Sequence, residues 1–136
     1  MVIIVCLDDS KGMTFNKRRQ SRDRRVLEDI ARMAEGKRLL CHTYSHKLLS
    51  EHGLEHTACD TMLDEAEQGE LCFVENLSVS SALPRTEEIV AYLWNRRYPA
   101  DTYFDVDPAK EGFRLVSRED FEGYSHEKIT KEIYRR

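Results

Sequence analysis

The sequence predicts an α/β fold in which a mainly parallel central sheet ends in a C-terminal antiparallel hairpin and is flanked by helices. Three observations support this prediction. The chain opens with a continuous apolar run, residues 2–7, of the kind that is buried on both faces in the middle of a sheet. Strand-like and helix-like segments then alternate, which indicates parallel strands joined by right-handed crossovers. Two further strand-like segments near the C-terminus are separated by Gly123, as in a closing hairpin.

The composition is typical of a single globular domain. The chain has 136 residues, of which 40% are hydrophobic and 34% charged, so it can bury a core and differs from a disordered chain. We therefore expect one domain, residues 1–136. The formal net charge of -4 argues against nucleic-acid binding by the whole surface but leaves room for local basic patches.

The N-terminal apolar run is expected to be a strand and not a targeting segment. Residues 1–7 are too few to span a bilayer, no basic region precedes them, and Asp8 and Asp9 follow directly. No CxxC motif accompanies the cysteines, which favours reduced, buried thiols in a cytoplasmic protein without membrane contact. The cysteines are Cys6, Cys41, Cys59 and Cys72.

A loop and a helix are predicted after the first strand. Residues 8–20 are polar and include Gly12, which indicates a loop. Ser21 is a suitable N-cap for a helix that Gly36 would end. The apolar residues of this helix follow the spacing of one buried face, at Val26, Leu27, Ile30, Met33 and Ala34.

The later elements complete the predicted sheet. We expect strand 2–7 to lie centrally, flanked by strands 37–41 and 71–74, with the last two strands antiparallel. The expected strands are residues 37–41, 71–74, 88–94, 113–117 and 128–134, and the expected helices are residues 44–51, which Gly53 ends, and 62–68, which Asp60 or Thr61 caps.

Several motifs occur in an order that resembles dihydrofolate reductase. The resemblance covers residues 1 to about 50 and about 60 to 136, and it implies a three-layer dihydrofolate reductase-like fold, shortened between about Ser50 and Cys59. The motifs are the apolar strand 2–7, Gly12-Met13 in a loop, Asp23 at the start of a helix, Ala82-Leu83-Pro84 before strand 89–94, and Asp101-Thr102-Tyr103-Phe104 at the place of the family's Asp-Thr-x-Phe signature.

The cofactor motifs of that family are altered here. The family has adjacent glycines after the strand that ends at Val74, where this chain has Glu75 and Asn76. Side chains there would block close approach of the backbone to a pyrophosphate, and the carboxylate would repel it. The family's Gly-Arg-x-Thr motif corresponds to Cys41-His42-Thr43-Tyr44. We therefore expect no cofactor: NADPH binding is possible but disfavoured.

The substrate side is altered as well. Asp23 is the best match to the family's acidic residue, with a one-residue shift in the loop; without that shift the position is Arg24. Asp23 is our candidate catalytic acid, although a carboxylate in the first turn also stabilises a helix without any catalytic role. The family's Trp-x-x-Pro run is replaced by residues 18–21, and a threonine that positions the pterin matches Tyr92.

A basic segment lies beside this predicted cleft. Six of the nine residues from 17 to 25 are Lys or Arg, which favours either an anion-binding lip or a solvated charge run balanced by nearby carboxylates. A small phosphorylated ligand would also meet backbone N–H groups at the start of the helix after strand 37–41. The candidate ligand-binding residues are Arg18, Arg19, Arg22, Thr43 and Ser45.

The histidines 42, 46, 52 and 56 form two i, i+4 pairs, but without an accompanying ligand motif we expect no metal.

Three classes of function remain open, and the sequence does not decide whether the chain is an enzyme. The first is a domain without NADPH-dependent reductase activity that binds a small anionic or phosphorylated ligand. The second is a divergent NADPH-dependent reductase of a pteridine-like or flavin-like substrate. The third is a structural or oligomerisation module, for example a homodimer.

Overall fold

A seven-stranded sheet forms the centre of the protein in the computed structural model, which describes residues 1–136. Its strand order is β5-β4-β6-β1-β7-β10-β9, and a second sheet has the order β3-β2-β8. The strands are β1 Val2–Leu7, β2 Gly12–Phe15, β3 Arg18–Arg19, β4 Leu39–Cys41, β5 Thr57–Ala58, β6 Leu71–Phe73, β7 Glu88–Leu93, β8 Thr102–Tyr103, β9 Arg114–Phe121 and β10 Ile129–Arg135. The helices are α1 Arg24–Met33, α2 Thr43–Glu51 and α3 Met62–Glu65, and 3-10 turns span Ser80–Arg85 and Pro108–Glu111.

The large sheet confirms the predicted fold class but not the predicted neighbours of β1. Five strands are parallel, and β10 and β9 complete the sheet as an antiparallel hairpin. β1 is central, but it pairs with β6 and β7, and β4 pairs with β6 on the far side. The prediction that strand 37–41 flanks β1 is therefore wrong. β4 and β6 are both short, apolar and buried along their whole length, so their patterns carry no information about their order.

The segment predicted as a loop, residues 8–20, contains a β-hairpin. Thr14 pairs with Arg19 and Phe15 with Arg18, which leaves Asn16 and Lys17 as a two-residue turn. Both turn residues have positive φ, 52° and 63°, as a type I′ turn requires. This prediction is wrong because the turn lacks the glycine that normally marks such a hairpin.

Two apolar clusters cover the two faces of the large sheet. On one face, Val26, Leu27 and Ile30 of α1 and the buried leucines of α2 pack against alternate residues of β1. On the other face, α3 and the segments around the two 3-10 turns cover the remaining residues of β1. The result is the three-layer arrangement that the resemblance implied. None of the helices has the length and apolar character needed to cross a bilayer.

The helix ends depart from prediction in two places. α1 starts after Asp23, not after Ser21, because Asp23 is still extended and its side chain accepts a hydrogen bond from the Arg25 N–H at 2.9 Å. α3 ends at Glu65 and not at residue 68, because Ala66 is extended and buried. The cysteines are free; Cys41 and Cys72 are buried, whereas Cys6 and Cys59 are partly buried.

Candidate functional site

The carboxyl ends of the parallel strands define the place where open α/β sheets bind ligands. The residues that follow these ends are Asp8 after β1, His42 after β4 and Glu75 near the end of β6. The hairpin β2–β3 and the start of α1 lie over the same edge, because Arg19 contacts Glu75 and Gln20 contacts Asp8. The candidate site therefore combines Asp8, His42 and the β2–β3 hairpin from the first half of the chain with Glu75 and the segments that cover them.

Glu75 occupies the middle of this edge and binds two of the predicted ligand-binding residues. Its carboxylate accepts hydrogen bonds from Arg19 Nε at 2.8 Å, Arg19 Nη2 at 3.0 Å and Ser45 Oγ at 2.6 Å. The Glu75 side chain is only 9% exposed. The Arg19 guanidinium also lies 5.0 Å from the centroid of the Tyr44 ring. The pKa of Arg19 is raised, first of all by the hydrogen bond to Glu75. Arg19 and Ser45 are thus brought together, around a carboxylate of the protein.

The other predicted ligand-binding residues are dispersed. Thr43 Oγ1 donates a hydrogen bond to Asp60 at 2.6 Å, and Arg22 lies 3.5 Å from a carboxylate oxygen of Glu51 on an exposed surface. Arg18 is exposed on β3 and forms no ion pair or side-chain hydrogen bond. Among the five candidates, Arg18 alone retains an unneutralised positive charge and free donors.

A cavity of about 430 Å³ lies beside Arg18. The Gln20 side chain donates from Nε2 to Asp8 Oδ2 at 3.0 Å and to the Pro99 carbonyl at 3.1 Å. Its Oε1 atom is buried and has no hydrogen-bond partner. The cavity therefore offers the Arg18 guanidinium as a cation, whereas Gln20 Oε1 is enclosed by the protein. Its lining residues are Phe15, Asn16, Arg18, Arg19, Gln20, Tyr98 and Pro99.

Asp23, the candidate catalytic acid, is buried beneath the β9–β10 connection. Oδ1 accepts hydrogen bonds from the Arg25 and Tyr124 N–H groups at 2.9 and 3.0 Å. Oδ2 accepts from Ser125 N at 2.8 Å, Ser125 Oγ at 3.0 Å and His126 Nδ1 at 3.0 Å. Burial alone would raise the pKa of Asp23, but these hydrogen bonds outweigh it and hold the pKa well below its usual range. In this geometry the carboxyl is an anion at neutral pH.

His126 is the functional candidate that the sequence did not reveal. Its ring stacks on Trp94 with centroids 4.6 Å apart, and only 5% of the residue is exposed. Nε2 lies 3.1 Å from both Ser21 Oγ and Tyr98 Oη. Gly123, three residues before His126, is the one feature of the sequence that could have indicated this contact. A Cβ added at Gly123 would lie 2.5 Å from Asp23 Oδ2. That glycine allows the β9–β10 connection to approach the start of α1, a role beyond separating two strands.

The predicted histidine pairs are separated by the fold. His42 caps α2 by accepting the Tyr44 N–H at 3.1 Å, and it lies 3.3 Å from Asp60. His46 and His56 contact each other, with Nδ1 and Nε2 2.8 Å apart. No group of three or more His, Cys, Asp or Glu side chains has the arrangement of a metal site.

Comparison with known proteins shows what this architecture is similar to. No family model matches the chain, and no curated protein matches it. Among solved structures, the dihydrofolate reductase from Enterococcus faecalis complexed with NADP(H) and RAB-propyl superposes with a TM-score of 0.72. The match covers 99% of this chain and 95% of that chain, at 11% sequence identity. The chain has a dihydrofolate reductase-like fold.

This similarity confirms the fold that the ordered motifs implied, and at 11% identity it concerns the fold alone. The structure gives the contacts of the residues that the sequence compared with the family's motifs. Glu75, which the sequence matched to the family's paired glycines, is held by Arg19 and Ser45. Asp23, which the sequence matched to the family's acidic residue, has its carboxylate covered by residues 124–126. Arg24, the alternative match, is exposed, and its guanidinium lies 4.6 Å from the centroid of the Tyr124 ring.

Proposed function

We propose that this chain is a dihydrofolate reductase-like domain that does not catalyse NADPH-dependent reduction and that binds a small anionic or phosphorylated ligand in the cavity beside Arg18. The observation that carries the proposal is the pairing of Glu75 with Arg19 and Ser45 at the end of β6. It removes two anion-binding groups from the cofactor side of the fold and leaves Arg18 free.

The Glu75 cluster opposes a bound pyrophosphate in two ways. A phosphate at this edge would face the Glu75 carboxylate instead of backbone N–H groups, so like charges would repel. Moving Glu75 away would break its hydrogen bonds to Arg19 and Ser45, each of which contributes about 1.5–3 kcal/mol as a bond to a charged group. Cofactor binding would therefore have to offset several kcal/mol before any favourable contact is counted.

The covered Asp23 carboxylate opposes a bound pterin. A carboxylate offers about four lone-pair sites, and the donors from Arg25, Tyr124, Ser125 and His126 already occupy them. The residue is 3% exposed, so a heterocycle could not reach it unless residues 124–126 moved. As an anion, Asp23 also lacks the proton that a general acid must donate.

The cavity beside Arg18 has the properties of a small ligand site. Its volume of about 430 Å³ lies in the range of ligand pockets, roughly 300–1,000 Å³. The Arg18 guanidinium would bind a phosphate or carboxylate through paired N–H groups. The proposed ligand therefore carries an anionic group.

A ligand panel tests this proposal. Inorganic phosphate, nucleotides, folates, flavins, NADH and NADPH are screened by thermal shift, where a ligand at 100 times its Kd stabilises the fold by about 2.7 kcal/mol. We expect an anionic ligand to bind and Arg18→Ala to weaken its binding at least tenfold by calorimetry. Arg114→Ala is the matched control, because Arg114 is also exposed but lies on β9. Silence across the panel, or equal binding by Arg18→Ala, would contradict the proposal.

A divergent NADPH-dependent reductase is the second candidate. It is favoured by the similarity of the fold to a dihydrofolate reductase complexed with NADP(H). Micromolar NADPH binding by the unmodified chain in the same panel would make this the better proposal. The substrate would then be sought among pteridine-like and flavin-like compounds.

A homodimer formed through the sheet edge is the third candidate. All of β9 except Phe121 is exposed, including the apolar Leu115 and Val116, and its outer edge has no partner strand. Antiparallel pairing of two copies about Ser117 would place Arg114 opposite Asp120 of the second copy, so the edge is complementary to itself. Light scattering of the purified chain should then give twice the monomer mass, and Val116→Lys should restore the monomer. The free thiols support our proposal of a cytoplasmic location.

A further inference from the structure

Three side chains that the proposed ligand site does not use form a hydrogen-bonded series. Ser21 Oγ lies 3.1 Å from His126 Nε2, and His126 Nδ1 lies 3.0 Å from Asp23 Oδ2. Ser21 and Asp23 belong to the segment before α1, and His126 belongs to the β9–β10 connection. Nucleophile, base and orienting carboxylate in this order define a serine nucleophile by geometry, whatever the fold or the order of the residues in the chain.

The carboxylate fixes which ring nitrogen of the neutral imidazole carries the proton. Asp23 remains an anion because several N–H and O–H donors surround it, including both the N–H and the hydroxyl of Ser125. An anionic oxygen at 3.0 Å requires a proton on Nδ1 of His126. The neutral imidazole then has its lone pair on Nε2, which faces the Ser21 hydroxyl. Ser21 Oγ and Tyr98 Oη both lie 3.1 Å from this nitrogen, which accepts one hydrogen bond at a time. When the Ser21 O–H donates to it, the pair has the arrangement of a nucleophile and its general base.

The ring is also held in position on its other sides. Trp94 stacks on the imidazole with an interplanar angle of 21°, and Tyr98 Oη contacts Nε2 at 3.1 Å. The His126 side chain is 2% exposed, whereas Ser21 is partly exposed. The base is therefore shielded from water while the nucleophile remains within reach of a substrate.

The cavity beside Arg18 provides an approach to Ser21. Gln20 precedes Ser21 in the chain and lines that cavity, and Tyr98 lines it while contacting His126. A small molecule in the cavity would lie next to the segment that carries the Ser21 hydroxyl. Nucleophilic attack does not depend on which group Arg18 binds, so the inference stands apart from the proposed ligand site.

We propose that Ser21 is a nucleophile for acyl transfer from small carboxylic esters, with His126 as its general base and Asp23 as the residue that positions His126. Ser21 Oγ forms a bond to the ester carbonyl carbon while its proton moves to His126 Nε2. The bond from that carbon to the alcohol oxygen then breaks, and the departing alcohol takes the proton from Nε2. Water attacks the acyl-serine with transfer of a proton to Nε2, and the return of this proton to Ser21 Oγ releases the carboxylic acid.

Covalent labelling of the full chain tests this proposal. The protein is incubated with a fluorophosphonate, which phosphonylates activated serines, and the modified residue is located by peptide mass spectrometry. We expect one adduct per chain, on Ser21, formed at least a hundredfold faster than on any other serine, since general bases contribute about 10²–10⁴-fold. Ser21→Ala should abolish the adduct, and His126→Asn should slow its formation by a similar factor. Release of p-nitrophenol from p-nitrophenyl acetate should follow the same order.

Ser50→Ala is the matched control, because Ser50 is exposed on α2 and its side chain forms no hydrogen bond. We expect this variant to be labelled at Ser21 like the unmodified chain. Ser125 Oγ lies 3.2 Å from His126 Nδ1, on the side of the ring that faces Asp23, so it has no base of its own. Labelling of Ser125, or labelling of Ser21 no faster than of other serines, would overturn the proposal. This internal comparison within the unmodified chain decides the matter even if His126→Asn fails to fold.

Discussion

Replacing Asp23 by asparagine should destabilise the protein more than its small change in shape suggests. Asn is the same size, but it removes the negative charge and turns one oxygen into an NH₂ group. In one amide orientation the NH₂ group faces the Ser125 and His126 donors around Oδ2, and in the other it faces the Arg25 and Tyr124 N–H groups around Oδ1. Buried donors then lose their acceptor in either case.

The size of this effect follows from the burial and the number of donors. Breaking a buried charged contact by removing one partner costs about 3–5 kcal/mol, and Asp23 is 3% exposed. At about 2–4 °C per kcal/mol for a domain near 150 residues, Tm should fall by roughly 6–20 °C. Urea and thermal unfolding at pH 7 measure both quantities. Asp64→Asn is the control, because Asp64 is exposed and forms no side-chain hydrogen bond, and it should change stability by about 0.5 kcal/mol at most.

The loss of stability caused by Asp23→Asn should depend on pH. The folded-state pKa of Asp23 is depressed, so its contribution is fully present above the unfolded pKa of about 3.9 and is lost as pH falls toward the folded value. The difference in unfolding free energy between the unmodified chain and Asp23→Asn should therefore shrink below about pH 4. A loss smaller than about 1 kcal/mol at pH 7, or a difference that stays constant down to pH 3, would refute the reasoning.

Three further results are expected. Gly123→Ala should lower Tm and, by displacing the β9–β10 connection, slow the labelling of Ser21, because the new Cβ would lie 2.5 Å from Asp23 Oδ2; an unchanged Tm would contradict the close approach. Glu75→Gly combined with Asn76→Gly should tighten NADPH binding measured by calorimetry, with a modest gain because His42 stands in place of an arginine, and unchanged affinity would show that Glu75 is not the obstacle. The buried cysteines of β4 and β6, whose thiol pKa values burial raises to about 11, should react with a disulfide reagent at pH 8 only on unfolding, whereas fast reaction of all thiols would contradict their burial.

The elements that the sequence predicted are those whose pattern is local. Strand β1 and helix α1 were found from an unbroken apolar run and from helical spacing, and the C-terminal hairpin from alternation. The order of β4 and β6 was not, because strands buried on both faces look alike. The hairpin β2–β3 was missed because its turn, Asn16-Lys17, contains no glycine, although both residues have positive φ.

The candidate site could be predicted only in part, because its contacts are long-range. The sequence singled out Asp23 as a match to the family's pattern and Glu75 as a departure from it, but it did not show which residues bind them. Glu75 meets an arginine 56 residues away, and Asp23 meets a histidine 103 residues away. No local periodicity encodes such pairs, so Arg19 was predicted as a free cation and His126 was not considered.

The contact between the start of α1 and the β9–β10 connection has a consequence for how the chain folds. The segment that buries Asp23 and covers one face of Trp94 lies 103 residues beyond Asp23. During synthesis, α1 and the first parallel strands emerge long before this segment does, and β7 is made before its partner β10. Contacts of such high sequence separation slow folding, since a large loop must close before they contribute. Until the C-terminal hairpin docks, the nascent domain exposes an aromatic ring, an uncovered carboxylate and an unpaired sheet edge, the surface on which a chaperone would act.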